Sequence, residues 1–383
     1  MKRIKYGLIL GLIGLMIGGC QNQKNPLSIK LLQRENLGTE KKIVIQKLDN
    51  FQTEPIDDQM GKSSALYVGS AVGYSSSVLL KFSSFQTIPD TAKIDKVILR
   101  FSPFEVLNPE KQESLAVDVY PAQANWEETE VTSEDVAAVP SGAPAVSAVL
   151  SPQIDTYDSL SIPPELVKGW KDSTIENNGL LITSSANSFI KGFYSRESVN
   201  PPVLLVYFMQ TGSPDSALVS CEKDVSLPKN NQGDLTGITV NHLLIGDGIG
   251  FATSLKFSLP DLPEDATIHR ASLRLAIDTT ASLLGKDRTY TLTKAMLKDE
   301  GGQLQPDSTE IDSTNLFTGH DHLSVDLTNF VQKWISGKHA NDGLRLAPRY
   351  PGQDLYRAVL IASETDSVLK PTILIYYSLP AEK

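Results

Sequence analysis

The chain has 383 residues, 40% of them apolar, with 35 basic and 45 acidic side chains and a formal net charge of −10. That length and apolar content suffice for two cores. The acidic balance excludes nucleic acid as a partner, because phosphate binding needs a basic cluster and the sequence contains none.

In chain order, the first segment is MKRIKYGLILGLIGLMIGGCQNQ. Lys2, Arg3 and Lys5 precede an apolar run from Tyr6 to Ile17. The run is shorter than the ~20 residues of a bilayer span and fits the apolar stretch of an export leader. It ends in Ile17-Gly18-Gly19-Cys20, small residues that leave the backbone uncrowded for a peptidase. This arrangement resembles the bacterial lipobox. The resemblance implies a leader over 1–19, a diacylglycerol on Cys20, and membrane attachment through that anchor. With Gln21 next in line it implies the outer membrane of a cell envelope, on the periplasmic or the surface face. The alternative is an uncleaved helix with an incidental cysteine. Residues 20–40 are polar and read as a tether. With Cys20 acylated, Cys221 has no intrachain partner; in SALVSC it reads as a buried thiol, against a reactive one.

The remaining chain repeats itself at an offset of roughly 165 to 177 residues. YVGSAVGYSSSVLLKFSSFQTIPDTAKIDKVILRF (67–101) lies over LIGDGIGFATSLKFSLPDLPEDATIHRASLRL (244–275). Gly69 and Gly73 match Gly246 and Gly250, Lys81-Phe82 matches Lys256-Phe257, and Leu99-Arg100 matches Leu273-Arg274. PPVLLVYF (201–208) corresponds to KPTILIYY (370–377). Two copies of one domain are expected, over 41–210 and 215–380, with a linker in QTGSPD (210–215). Short segments such as LAVDVYP (115–121) and ASLRLAID (271–278) alternate apolar and polar residues, the pattern of half-buried antiparallel strands. The expected fold class is all-β: two tandem antiparallel β-sandwich domains of jelly-roll type.

One helix interrupts each copy. Phe330, Val331, Trp334 and Ile335 have the spacing of a helical face, with Asp326 or Thr328 at its start and Gly337 at its end. Asn341-Asp342-Gly343 then turns the chain into the strand LRLA. In the first copy Pro164, Leu166, Val167 and Trp170 form the helix, Asn177-Asn178-Gly179 the turn and LLIT the strand. Two copies that share this scaffold but differ in its polar residues point to structure, with the tryptophan laid on the end of the sandwich.

The order of LLKF, IPxxAxIxxVxLRF, the segment Trp126-x-Glu128-x-x-Val131-Thr132, NNGLLI, YSRES (194–198) and a Pro-led last strand resembles the DNRLRE-domain family, also described as carbohydrate-binding module family 96. The resemblance is close over about 41–210 and looser over about 215–380. It implies β-sandwich modules on secreted or surface proteins, some binding acidic polysaccharides. The second copy departs from it, with LKDEGGQ (297–303) near the place of the Trp126 segment and Ala362-Ser363-Glu364 opposite Ser195-Arg196-Glu197.

Sugars stack on aromatic faces and hydrogen-bond to planar polar groups. The candidate ligand residues are therefore Trp126, Tyr194, Arg196 and Glu197, against loop packing for Trp126 and an exposed ion pair for Arg196 and Glu197. If Arg196 binds ligand, the second copy is a spacer. GDGIGF (246–251) reads as turn glycines, since it lacks the strand–turn–helix context of a phosphate loop. His320 and His322 could share one side of a strand as metal ligands, but zinc needs further donors, from His339, Asp342 or Glu364. DEGGQLQPDSTEID (299–312) reads as a solvated, flexible face rather than a calcium loop. No catalytic residue, cofactor or metal is assigned. The expectation is a lipid-anchored, non-catalytic envelope protein that binds a polysaccharide; the rival is a structural or adhesion subunit that touches envelope proteins. Polysaccharide degradation is a third, weaker reading.

Overall fold

The computed structural model describes residues 40–380 except 58, 109–113, 155–156, 185–188, 232–239 and 364–368. The leader, Cys20 and most of the tether lie outside the described residues, as does Glu364.

The all-β expectation holds. The strands run β1 (Lys41–Ile45), β2 (Asn50–Pro55), β3 (Ala65–Ala71), β4 (Tyr74–Phe82), β5 (Lys93–Phe101), β6 (Pro103–Leu107), β7 (Leu115–Pro121), β8 (Val146–Leu150) and β9 (Asp158–Ile162). After helix α1 (Pro164–Lys171) come β10 (Leu180–Thr183), β11 (Ile190–Tyr194), β12 (Val203–Gln210) and β13 (Ser213–Asn230). Then follow β14 (His242–Asp247), β15 (Phe251–Lys256), β16 (Thr267–Ala276), β17 (Thr289–Glu300), β18 (Gln303–Phe317) and β19 (His322–Asp326). Helix α2 (Thr328–Ile335), β20 (Leu344–Pro348), β21 (Tyr356–Ile361) and β22 (Thr372–Ser378) complete the order.

Two units share one strand order. In the first, β13–β12–β5–β9 form one layer, and β6–β11–β3–β4 with β10, β7 and β8 form the other. In the second, β1–β22–β16–β19 face β18–β17–β20–β15, with β14, β21 and β2 continuing beyond β15. All pairings are antiparallel. Alternation explains the layers: inward residues such as Leu80, Phe82, Val97 and Leu99 fill the first core, and Leu255, Phe257, Leu273 and Leu275 the second. Burying each such side chain contributes about 1.5–3 kcal/mol.

The chain passes between units at a different place from the expected linker. Thr211 and Gly212, both at positive φ, make the turn of the β12–β13 hairpin. β13 then bends between the layers, pairing first with β12 and then with β4, with a register shift at Cys221–Lys223. Thus 213–230 belongs to the first unit. Conversely β1 and β2, expected to open the first domain, pair with β22 and β15 of the second.

The helices form where expected. Thr328 donates through its N–H and hydroxyl to Asp326 Oδ1 at 2.9 and 2.6 Å, and Gly337 takes a positive φ after the last turn. Trp334 meets Phe257 edge-on at 5.7 Å between ring centres, and Trp170 lies 6.3 Å from Phe85. In the turns that follow, Asn177 Nδ2 donates to Phe82 O (2.6 Å) and Asn341 Nδ2 to Phe257 O (2.9 Å). Gly179 (φ +88) and Gly343 (φ +105) each pass so close to a core strand that a Cβ would lie 2.2 Å from Leu80 O and 2.6 Å from Leu255 O.

The units pack on each other through Tyr67, Tyr74, Leu107 and Ile190 on one side and Leu244, Leu283, Leu355 and Val359 on the other. Arg357, only 1% exposed, crosses this boundary: its Nη2 donates to Val72 O (3.2 Å) and Ala281 O (2.7 Å), and the guanidinium lies 4.3 Å from the Tyr74 ring centre.

Candidate functional site: the outer face of the second unit

The outer face of β4, β10 and β13 in the first unit is apolar and covered. Val225 pairs with Leu79 and Leu181 with Leu79, giving a row of three aliphatic side chains. The chain after β7 folds over this row and seats Trp126, Ala137 and Ala138 on it and on Leu227 of β13. Trp126 is 4% exposed and its indole N–H donates to Asn178 O at 2.9 Å. Lys223 to Glu127 and Lys229 to Glu134, each at 2.7 Å, fasten the cover at its rim. Trp126 therefore presents no ring face to a ligand.

At the matching positions of the second unit the row is polar. Gln52 pairs with Ser254, and Ser254 with Arg345. Among the described residues no long segment crosses this face, because the chain between β17 and β18 is the tight turn Gly301-Gly302. The result is an open groove of about 290 Å³ between the sheet and the end of the β17–β18 hairpin. Gln52, Glu54, Ser254, Lys256, Asp342 and Arg345 line its floor; Leu304, Gln305 and Pro306 form one wall. Arg345 Nε donates to Glu54 Oε1 at 2.7 Å, so the floor carries both charges, already paired. Leu304 is 50% exposed beside it. A mixed floor with an apolar rim, next to the long strand β18 at the end of its sheet, suits an extended polar chain.

The other sequence candidates lie in the first unit, Tyr194 half-buried and Arg196 and Glu197 exposed. Tyr194 packs against Phe104, with ring centres 5.1 Å apart. Arg196 grips Glu128 with two bonds, Nε to Oε1 at 2.7 Å and Nη2 to Oε2 at 2.9 Å, and lies 3.0 Å from Glu197 Oε1. Its backbone N–H donates to Asp224 Oδ2 at 2.7 Å. Glu128, Glu197 and Asp224 bring carboxylate oxygens within 4.8 Å of one another, the spacing of a cation site, but the Arg196 guanidinium already bonds two of them. Burial pushes the Asp224 carboxyl up to about 8, against the pull of the Arg196 N–H. Tyr194, Arg196 and Glu197 are thus brought together, though among acidic and aromatic neighbours rather than around a cleft.

His320 and His322 stack with ring centres 6.0 Å apart. Nδ1 of His322 contacts Asp321, and Arg274 Nη2 approaches the same nitrogen at 3.0 Å. Asp321 is exposed, whereas its counterpart Asp158 is buried in an ion pair with Lys191, a side chain that also donates to Ser151 O and Gln153 O. The acidic stretch 299–312 is not a flexible loop: most of it is paired strand. Its carboxylates are each tied to near neighbours, Asp299 to the Gly302 N–H, Glu300 to Lys298, Asp307 to Thr309 and His339, Glu310 to Lys333, and Asp312 to Lys294 and the Ser313 N–H. Cys221 lies at the bulge of β13 against the first core, and burial raises its thiol well above the usual range.

Besides Asp224, sequence reasoning missed two further buried carboxyls. Asp247, read within a glycine turn, is 2% exposed and accepts the N–H groups of Gly248, Gly352, Gln353 and Asp354, so it shapes the 352–354 loop. Glu105 of β6 is 3% exposed; it accepts the Tyr67 hydroxyl at 2.7 Å and faces Arg288 of the second unit at 3.1 Å. Burial pushes its carboxyl up to about 7, with Arg288 and the Tyr67 bond opposing.

The TGF-beta propeptide family matches residues 225–361, less than half of the chain. No curated protein matches the sequence. The family finding overturns the DNRLRE resemblance, and with it the description as a lipid-anchored bacterial lipoprotein with carbohydrate-binding modules of that family. The anchors of that resemblance explain the error. The LRF strand, the Asn-Asn-Gly turn and the tryptophan helix are core and turn positions that a two-layer β unit requires, so they report architecture rather than kinship.

Proposed function

We propose that this chain is a non-catalytic structural or adhesion protein that acts outside the cytoplasm and holds an extended stretch of a partner protein in the groove of its second unit. The observation that carries the reading is the contrast between equivalent faces: Leu79, Leu181 and Val225 are sealed under Trp126, whereas Ser254, Arg345 and Gln52 lie in the open groove. A face that serves only packing is covered; a polar one left open, with paired charges and the exposed Leu304 at its rim, favours a ligand that brings both backbone and side chains. The apolar leader-like run at the N-terminus supports action outside the cytoplasm. The family match also falls largely on the second unit.

A photoreactive residue in place of Gln305, in the full chain in its own cells, tests this. The expected result is a discrete protein adduct that Ser254→Trp, which fills the groove, reduces at least about tenfold, the loss expected when ~1.4 kcal/mol of binding is removed. An adduct unaffected by that substitution, or no adduct together with groove-dependent retention on a polysaccharide, would overturn it.

A further inference from the structure

We infer that the second unit is a strand-accepting module, and that segment 41–55 of a second copy of this chain takes the place its own segment holds, joining copies by reciprocal strand exchange. The inference does not need the groove reading, although Gln52 and Glu54 of the segment line that groove.

The two units complete the same position from different sources. In the first, β13 follows β12 through a tight turn and supplies both the strand beside β12 and the strand beside β4. In the second, the strands beside β22 and β15 are β1 and β2, which precede the entire first unit in the chain. The substitution is exact to the side chain. Ser226 of β13 sits opposite Val78, and its Oγ accepts the Tyr67 N–H at 2.7 Å. Thr53 of β2 sits opposite Thr253, and its Oγ1 accepts the Leu244 N–H at 3.0 Å. In both units a hydroxyl fills the split of a hairpin whose two strands pair only near their turn.

The donated segment is held by backbone ladders and by one row of apolar side chains. Lys41, Lys42 and Val44 of β1 are exposed, Leu48 is buried in the second core, and Ile43, Ile45 and Phe51 pack against it. These contacts are the same whichever copy provides the segment. The balance between self-donation and exchange is therefore set by the connection, whose effective concentration is about millimolar for a short flexible linker. This connection is short and fixed at both ends. The Ile56 N–H donates to Gly250 O, Met60 is buried between the units, and Ser63 Oγ donates to Gln353 O. Three residues, 57–59, separate these anchors in the sequence, and a short hinge invites exchange.

Val44 lies opposite Leu374, and neither side chain is buried. Cysteines at both positions, in full chains that also carry Cys20→Ser and Cys221→Ser, report who donates the strand. Two such chains with tags of different mass are unfolded together and refolded at increasing concentration. The expected result is a disulfide-linked mixed dimer that grows with concentration, grows further when 57–59 are deleted, and shrinks when about ten Gly/Ser residues are inserted there. Disulfides only within chains at every concentration, or mixed dimers indifferent to the inserted linker, would overturn the inference. The intact-hinge series decides the matter should the deletion fail to fold. Photo-crosslinking from the groove is read separately.

Discussion

Glu105 shows what a single buried carboxyl does at a boundary between units. Its folded value of about 7 exceeds the ordinary 4.5, so the folded chain binds this proton more tightly than the unfolded chain does. The resulting stability is complete below about pH 4.5 and is lost as pH rises through about 7. Asp224, at about 8, acts with the same sign. The melting temperature is therefore expected to fall between pH 5 and pH 8, and Glu105→Gln should flatten part of that slope; scanning calorimetry across the range checks it. Backbone conformation sets a second expectation. Gly343→Ala meets both a left-handed φ and the Leu255 carbonyl, and should lower unfolding free energy by about 2–3 kcal/mol in urea titration. At Gly301, where a Cβ would meet nothing within 4 Å, the same change should cost only about 1 kcal/mol.

Among the elements, the cover over the first unit's outer face and the bare hairpin of the second make the chief contrast. Removing the cover's anchor by Trp126→Ala leaves Leu79, Leu181 and Val225 without their main contact. It should cost about 3–5 kcal/mol and produce binding of a hydrophobic dye, both readable by fluorescence. The strands and both tryptophan helices were legible in the sequence, because alternation and helical spacing are local signals. The role of Trp126 was not: its burial depends on Val225, a strand residue far along the chain, and on the Asn178 carbonyl. The open groove was hidden for the same reason, since Gln52, Ser254 and Arg345 meet only when three distant strands pair. The placement of β1 and β2 had no local signature either. KKIVI alternates weakly, and nothing within it names the sheet it joins.

For the whole molecule, the apolar boundary and Arg357 bind the units into one unfolding block. Arg357→Met keeps much of the stem and removes the donors that reach Val72 O and Ala281 O. Calorimetry should then resolve two transitions where the parent chain gives one, the signature of units that no longer melt together. The placement of β1 and β2 also bears on how the chain is born. Residues 41–55 leave the ribosome before the whole first unit, yet their partner β15 follows some two hundred residues later, and β22 later still. At about 5–20 residues per second, that is a delay on the order of ten seconds or more, during which a sticky edge waits beside a first unit already able to form. A chaperone that shields such a segment, or a neighbouring nascent chain that captures it, would meet the protein in that interval.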